Sequence, residues 1–376
     1  MNRRNLILRI GVGAGSIPTL AACTTSTSEQ DAASVLRNRM TANASNPPEL
    51  LRELIRYATL APSSHNTQCW RFQLFENSIA ILPDLSRRCP VVDPDDHHLF
   101  VSLGCATENL VQAALANGLD ADARFNPSGA GRITVNLAPT KPLKSPLFDA
   151  IPVRQCTRGD YDSQPVSSAE LKLLEQAAIG SGVRVQWLTS RPMMERVLEY
   201  VVAGNGAQMN DRAFVSELKS WIRFSAGEAL RTGDGLFAGA SGNLVMPRWL
   251  ASPAMSLFFT EKSENERYAR QIRNCAGIAV FVSETNDKAH WIETGRSYER
   301  FALQATALGI RNAFLNQPVE VATVRPQFAS WLGLAPSERA DLIVRFGRGP
   351  TMPLSMRRLV LLYEGERCEK VKSHSP

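Results

Sequence analysis

Residues 61–72 of the chain read A-P-S-S-H-N-T-Q-C-W-R-F. They follow a run, 49–60, in which apolar residues recur at helical spacing, so a helix with one buried face is predicted there. Pro62 ends that helix, and hydroxyl, imidazole and amide side chains follow before Trp70. Donors and acceptors together suit a polar, planar ligand with alternating carbonyls and nitrogens. An ordinary loop between a helix and a strand, with capping residues, is the alternative.

The stretch resembles the flavin-contacting loop of the nitroreductase family, whose usual form is P-S-x-x-N-x-Q-P-W. The positions that match are Pro62, Ser63, Asn66, Gln68 and Trp70. Cys69 replaces the usual proline. The longer form A-P-S-S-H-N-T-Q resembles in particular the Acg-type nitroreductase-like flavoproteins, which are similar to two nitroreductase halves fused in one chain. The resemblance implies FMN as cofactor and an α+β, nitroreductase-like fold arranged as a tandem pseudo-dimer.

The first 23 residues contain an arginine pair ahead of a moderately apolar run and end in L-A-A-C. This pattern is similar to a twin-arginine export signal followed by a lipoprotein cleavage box at Cys23. A signal anchor or a basic tail is the alternative, but Arg9 and several glycines and prolines disfavour a spanning helix, which needs about 20 apolar residues. An exported, periplasmic or membrane-anchored lipoprotein is therefore predicted. The polar residues 24–46 are predicted to be a tether.

Charge and cysteine usage limit the function classes. The formal net charge is +6, of which Arg3, Arg4 and Arg9 supply three, so the chain beyond the signal carries only +3. That charge does not indicate nucleic acid, and no basic run is interleaved with aromatic residues. The cysteines show no C-x-x-C spacing, and the adjacent His97 and His98 are expected to point to different sides. No metal site is predicted.

Two Ala-rich stretches, 99–119 and 290–310, indicate an internal repeat, because they align without gaps at an offset of 191 residues. The coinciding pairs are Gly104/Gly295, Glu108/Glu299, Ala114/Ala305, Ala116/Ala307 and Gly118/Gly309. Each stretch is predicted to be a helix ending at a glycine, and such small residues allow two helices to approach closely. The alternative is that many buried helices look alike.

The earlier helix also recurs, at an offset of 120 residues: Leu51, Leu54 and Ala58 match Leu171, Leu174 and Ala178. The two offsets differ by 71 residues, so the second half is predicted to hold an insert of that length, at about 189–262. The halves are then 47–148 and 149–376. The insert either packs as an appendage or covers the cleft as a lid, and the resemblance to Acg-type proteins favours the lid. Because duplication supplies an internal dimer, a monomer is expected.

Short strands are predicted at 71–75, 78–82, 183–188, 278–282 and 342–346, in a mixed, mainly antiparallel sheet. Residues 82–95, read L-P-D-L-S-R-R-C-P-V-V-D-P-D, resemble a signature of the fused group, and no role is predicted for them.

The resemblance divides the flavin site between the halves. The first half would contact the ring with Ser63, Ser64, Asn66 and Gln68. The second half would bind the phosphate through R-Q-C-T-R, which supplies Arg154, Gln155, Cys156 and Arg158. Arginine suits this role because one guanidinium can donate two hydrogen bonds to phosphate oxygens at once. A surface salt-bridge pair is the alternative reading of those arginines. Further contacts are implied for Leu315, Asn316, Gln317, Arg348 and Arg357.

The counterpart loop, 178–187, has lost its asparagine, and residues 45–48 lack an arginine pair. One FMN per chain is therefore predicted. No Ser–His–Asp or paired-carboxylate arrangement is evident, so no catalytic side chain is predicted and the chemistry is assigned to the flavin. The implied function passes electrons from NAD(P)H through FMN to a small aromatic or quinone-like acceptor. A flavin-sequestering or sensing protein with a lidded FMN is the alternative, and a lipoprotein without flavin is a third class.

Overall fold

The computed structural model describes Ala33, Arg37 and residues 47–359, without the side chains at 47–48 and 254–258. The predicted export signal, Cys23 and all of the predicted tether except Ala33 and Arg37 lie outside the described residues.

The first half is one sheet with a helix before it and a long helix within its connections. Its elements are α1 (Pro47–Thr59), β1 (Trp70–Leu74), β2 (Ser78–Pro83), α2 (His97–Ala116), β3 (Leu119–Asn126) and β4 (Arg132–Pro139). The helical spacing in α1 places Leu54, Ile55 and Ala58 on one fully buried face. Short 3₁₀ turns, Ser64–Asn66 and Leu85–Arg87, shape the loops that follow α1 and β2.

The second half begins with α3 (Pro146–Ala150), α4 (Ser168–Ala177) and β5 (Val183–Leu188). Inserted elements follow: α5 (Arg191–Asn210), α6 (Arg212–Trp221), β6 (Ile222–Arg223), α7 (Ala226–Thr232), β7 (Leu236–Phe237), α8 (Arg248–Phe258) and α9 (Glu261–Arg273). The half is completed by β8 (Gly277–Ser283), α10 (Lys288–Ala307), β9 (Arg311–Phe314), α11 (Gln317–Glu320), α12 (Arg325–Trp331) and β10 (Arg339–Gly347). The inserted elements occupy 191–273, where the sequence predicted an insert at about 189–262.

The two halves share one sheet topology. The first sheet has the order β1-β2-β4-β3 and the second β5-β8-β10-β9, so corresponding strands take corresponding places. The predicted α+β class is confirmed. Both four-stranded sheets are antiparallel throughout, however, where a mixed sheet was predicted. Among the named strands of the described chain, only β6 and β7 pair in parallel, and both belong to the insert.

The long helices α2 and α10 cross at two glycines. A Cβ on Gly104 would lie 2.0 Å from the Ile292 carbonyl oxygen, and one on Gly295 would lie 2.0 Å from that of Val101. The Cys105 thiol also donates to the Gly295 carbonyl at 3.2 Å. The repeated glycine therefore allows the backbones of the two helices to touch, which a larger side chain would prevent.

Two apolar cores lie on the two sides of the second sheet. The first contains residues of both sheets, such as Phe72 and Phe281, together with the facing sides of α2 and α10. The second packs α5 of the insert, through Val197 and Val201, on the outer face of β8. Every residue of β8 is consequently buried, whereas the residues of β3 alternate between partly buried and exposed.

Helix α2 is long and apolar enough to cross a membrane, but 83% of its apolar window is buried inside the protein. It is the central helix of the first core, and its length and composition are explained by that position.

The helix crossing generates a stability prediction. Gly104→Ala places a methyl group against a carbonyl oxygen that belongs to the other half, so we expect the free energy of unfolding to fall by about 3 kcal/mol or more. Urea unfolding followed by circular dichroism measures it. Gly227→Ala in α7 is the matched control, since its Cβ would meet nothing within 4 Å, and it should change stability by less than about 1 kcal/mol. Equal midpoints for the two variants would contradict the close crossing.

Candidate functional site

A cavity of about 280 Å³ is lined by both halves and by the insert. Residues 62–66 and the side of α2 that carries Ser102 and Cys105 form its first-half wall. Segment 154–158 and the region around α11 form the second-half wall. The insert adds apolar side chains from several elements, including Phe214, Leu218, Ile222, Leu236 and Phe259. The cavity is therefore assembled from segments that are distant in sequence.

Most of the side chains predicted to bind a ligand line this cavity. They are Ser63, Ser64, Asn66, Arg154, Gln155, Cys156, Arg158, Asn316, Gln317 and Arg357. The predicted positions outside its lining are Gln68, Leu315 and Arg348.

Each of those three side chains has another partner. The Gln68 amide donates to the Gly233 carbonyl at 2.8 Å and accepts from the Arg358 amide at 2.9 Å, so it joins the loop to the insert and to the C-terminal segment. Leu315 belongs to the second apolar core. Arg348 pairs with Glu170 at the start of α4. The structure therefore does not place these three side chains in the cavity lining, because the motif specifies a residue type and not the direction of its side chain.

Arg357 binds the last carbonyl groups of the α1 region. Its guanidinium donates to the carbonyl oxygens of Thr59 at 2.8 Å and of Leu60 and Ala61 at 3.1 Å. A cation at this end of a helix also matches the negative end of the helix dipole. Arg154 donates to the same Leu60 carbonyl at 2.8 Å. Two arginines of the second half thus hold the end of a first-half helix.

Arg154 also faces a buried carboxylate, with its Nε 3.1 Å from Glu299 Oε1 on α10. Both side chains are almost completely buried. Burial raises the pKa of Glu299 to about 7 against the opposing effect of Arg154. These contacts make Arg154 a link between α1 and α10 as well as a residue of the cavity wall, and its predicted contact with a phosphate stays a prediction.

Arg37 is a third buried guanidinium at the cavity, and the sequence did not predict it. It donates to the carbonyl oxygens of Arg154 at 2.9 Å, and of Pro152 and Ser355 at 3.2 Å. It lies in the stretch predicted to be a tether, but it is only 2% exposed, so the tether prediction is wrong at this residue. Burial, together with the positive charges of Arg357 and Arg154, lowers its pKa well below the ordinary arginine value.

Positive charge therefore exceeds negative charge beside the cavity. Arg37, Arg154 and Arg357 repel one another, and Glu299 is the carboxylate paired with this group. A buried excess of guanidinium charge is stabilised by an anion, and phosphate matches the planar fork of arginine.

Arg158 has the guanidinium best placed to receive such an anion. It is half-buried and lines the cavity, and among the described residues its side chain has no hydrogen-bond or ion-pair partner. Its charge also contributes, after burial, to lowering the pKa of His65 to about 4. His65 is a further cavity residue that the sequence prediction missed, although it lies inside the predicted motif.

The loop between α1 and β1 is strained. His65, Asn66 and Gln68 have φ values of +48°, +53° and +55°, in the left-handed region that residues other than glycine seldom adopt. The Asn66 amide donates to the carbonyl oxygens of Gly235 at 3.0 Å and of Met356 at 3.2 Å. Hydrogen bonds to the insert and to the C-terminal segment therefore help to hold the loop in this shape.

The C-terminal segment is itself tied to the phosphate-type segment. The Gln155 amide donates to the Met352 carbonyl at 3.1 Å and accepts from the Met352 amide at 2.7 Å. Residues 352–357 thus form a bridge between Gln155 on one side and Asn66 on the other.

The prediction that His97 and His98 point to different sides is wrong. Their ring centroids lie 4.5 Å apart, because both Nε2 atoms reach the same residue, Asp341.

The counterpart cleft is closed by arginines of α10 itself. Arg300 donates to Glu108 at 2.8 Å and to the Ile179 carbonyl at 2.7 Å, and Arg296 donates to Glu108 at 3.2 Å. At the 191-residue offset, Arg296 and Arg300 correspond to the smaller Cys105 and Asn109 of α2. Glu108 is thus balanced by two arginines from the facing helix, without any contribution from outside the two helices.

Comparison with known sequences shows which proteins the chain resembles. No family model matches it. It is 26% identical over 286 residues to the Mycobacterium tuberculosis protein named "Putative NAD(P)H nitroreductase Rv3131", covering 74% of this chain and 79% of that one. It resembles nitroreductases. A second M. tuberculosis relative, "Putative NAD(P)H nitroreductase acg", is 20% identical over 313 residues, which cover 81% of this chain and 90% of the relative. The predicted resemblance to nitroreductases, including Acg, is confirmed.

Solved nitroreductases align with part of the chain. A Desulfitobacterium hafniense nitroreductase with bound FMN aligns with a TM-score of 0.36 and 15% identity, covering 57% of this chain and 94% of its own. The FMN-dependent nitroreductase NfnB of Mycobacterium smegmatis, solved in complex with NADPH, aligns with a TM-score of 0.36 and 12% identity, covering 54% and 87%.

Proposed function

We propose that the protein is an FMN-dependent NAD(P)H oxidoreductase of nitroreductase type. The observation that carries the proposal is the cavity shared by the two halves, with three buried arginines beside it. Arg158 lies in its wall, and its side chain has no hydrogen-bond or ion-pair partner among the described residues. The names of the sequence relatives support the same reaction class. The acceptor proposed is a small aromatic or quinone-like molecule, which the apolar side chains of the insert would contact.

The donor set fits FMN. Arg158 would bind the phosphate, and the positive charge of Arg37, Arg154 and Arg357 would stabilise it from behind. Ser63, Ser64, Asn316 and Gln317 would offer hydroxyl and amide groups to the polyol and the ring. Bound FMN supplies the redox chemistry, accepting hydride from a nicotinamide and passing electrons to the acceptor. The protein would position the cofactor and exclude water with the insert.

The chain is further proposed to be a fused pair of nitroreductase-like halves, 47–148 and 149–376, acting as a monomer with one flavin. The shared sheet topology and the crossing of α2 and α10 support the two-half arrangement. The unequal clefts support a single site. Beside the cavity, guanidinium groups exceed carboxylates, whereas Glu108 in the other cleft is already balanced by Arg296 and Arg300.

Reduction of the bound flavin tests the function. Protein purified with its native cofactor should carry about one FMN per chain, and NADH or NADPH should bleach its visible absorbance within seconds. Stopped-flow spectroscopy measures the rate, and acid extraction of the flavin gives the stoichiometry. A bound flavin that neither nucleotide reduces would instead support the flavin-sequestering alternative. Two flavins per chain would contradict the proposal of unequal clefts.

Arg158 tests the orientation of the cofactor. Loss of a hydrogen bond to a charged group costs about 1.5–3 kcal/mol, so Arg158→Gln should weaken FMN binding roughly ten- to a hundredfold. Riboflavin, which has no phosphate, should be affected much less. Arg348→Gln is the matched control, because Arg348 pairs with Glu170 away from the cavity and should leave both affinities unchanged. Flavin fluorescence quenching measures the dissociation constants. Equal losses for FMN and riboflavin in Arg158→Gln would show that this arginine does not bind the phosphate.

Export through a twin-arginine signal is also proposed, with a lipid anchor at Cys23. The support is the sequence of residues 1–23. Replacing Arg3 and Arg4 by lysine should leave precursor in the cytoplasm, as measured by cell fractionation, and Cys23→Ser should abolish lipid labelling. Unchanged fractionation of the double-lysine variant would exclude the twin-arginine route.

A further inference from the structure

Three side chains able to bind a metal ion lie together at the start of α2, beside the cavity. Asp93 precedes the helix, and His97 and His98 form its first two residues. One ligand atom from each lies within 4.8 Å of the other two. All three residues are buried, with 4%, 1% and 5% of their surfaces exposed. The first half thus contains a buried group of one carboxylate and two imidazoles.

Asp341 of β10 orients both imidazoles through their Nε2 atoms. His97 Nε2 donates to the Asp341 carboxylate at 2.7 Å, and His98 Nε2 donates to the Asp341 carbonyl at 3.3 Å. Because these oxygens accept, the ring protons lie on Nε2, and each Nδ1 carries a lone pair. Proteins orient metal-binding histidines in the same way, by a hydrogen bond from the other ring nitrogen.

The Nδ1 atoms are the ones left to bind a ligand. His97 Nδ1 is buried and has no hydrogen-bond partner among the described residues. His98 Nδ1 faces Glu320 Oε1 at 3.9 Å, which is too long for a hydrogen bond. A buried acceptor without a donor is unfavourable, and a bound cation would use its lone pair.

The neighbouring carboxylates also favour a cation. Asp93 accepts two backbone amides, at 3.0 and 2.9 Å, and Glu320 accepts the Gln208 side-chain amide at 2.7 Å. Within the described chain, neither carboxylate is ion-paired with an arginine or lysine. A bound cation would pair with these two carboxylates.

We propose that Asp93, His97 and His98 bind one divalent transition-metal ion, with Glu320 as the fourth ligand. Imidazole nitrogen and carboxylate oxygen together suit zinc and its first-row neighbours, such as manganese or cobalt. Bonds of about 2.0–2.2 Å require the ligand atoms to lie closer together than the 4.8 Å within which they now lie, so the side chains would move toward the ion. His98 and Glu320 also line the cavity, so the proposed ion would lie at its wall.

The internal repeat does not duplicate this group of ligands within the described residues. At the 191-residue offset, the positions of Asp93, His97 and His98 are occupied by Glu284, Lys288 and Ala289. An ion bound by His98 and Glu320 would join the start of α2 to α11 of the second half.

Zinc binding tests the proposal. Full-length protein with its native cofactor content is stripped with EDTA and titrated with ZnCl₂ by isothermal calorimetry, and zinc per chain is measured by plasma mass spectrometry after gel filtration. One zinc should bind at this site. Asp341→Asn should weaken it by roughly 10–100-fold, as loss of an orienting partner does, and His98→Gln or Asp93→Asn should weaken it by more. Asparagine keeps one of the two oxygens with which Asp93 accepts the His98 and Leu99 amides, and circular dichroism checks that each variant folds.

His290→Gln is the matched control. His290 also lies near the start of a long helix, beside Asp287 at 2.9 Å and Glu284 at 3.7 Å, but it is partly exposed and outside the cluster. Its substitution should leave zinc affinity unchanged. The proposal is overturned if no zinc is retained, or if folded His98→Gln and Asp93→Asn bind zinc like the wild type. It is also overturned if only Cys89→Ser loses zinc, which would place the ion on the Cys89 and His65 pair, 3.4 Å apart.

Discussion

Arginines of the second half donate hydrogen bonds to the main-chain carbonyls at the end of α1, and the structure depends on these contacts. Arg357 and Arg154 both donate to the Leu60 carbonyl, and Arg154 also faces Glu299 on α10. These contacts fix the point at which the chain leaves α1 and enters the loop beside the cavity. The same guanidinium groups give the cavity its positive charge. Structural support for the loop and electrostatic suitability for a phosphate therefore have one origin.

The insert lines the cavity and also stabilises other parts of the structure. Gln68 bonds to Gly233, and Asn66 bonds to Gly235, so the insert supports the strained loop from behind. It also supplies apolar walls and, through α5, buries the outer face of the second sheet. A segment with all three contacts cannot move away as one rigid lid without disturbing the loop. Access to the cavity is better explained by smaller movements of individual side chains or of one inserted element.

The spacing of apolar residues was sufficient to predict the helices and strands named from the sequence to within a few residues. A buried helix face or strand face requires apolar residues at regular intervals, so this spacing can be seen in the sequence directly. Side-chain direction was not predictable in the same way. Gln68 lies in the motif, but its side chain donates to the main chain of the insert. Arg37 lies in a polar stretch, and its burial depends on contacts with Pro152 and Ser355, which are distant in the sequence. The filled second cleft did have a sequence signal. The 191-residue alignment pairs Arg300 with Asn109. The arginine side chain is larger than the asparagine side chain, so beside the helix crossing it occupies space that Asn109 leaves open.

The bridge made by residues 352–357 affects how the chain can fold during its synthesis. Arg357 and Thr59 are separated by 298 residues, yet their hydrogen bond helps to define the loop that follows α1. Until residues 352–357 have been made, the first half can form its helices and sheet but lacks the partners of Asn66, Gln68 and the α1 carbonyls. Contacts of such long sequence separation form late and slowly. The cavity is therefore completed only after residues 352–357 have left the ribosome, although its first-half wall is synthesised almost 300 residues earlier.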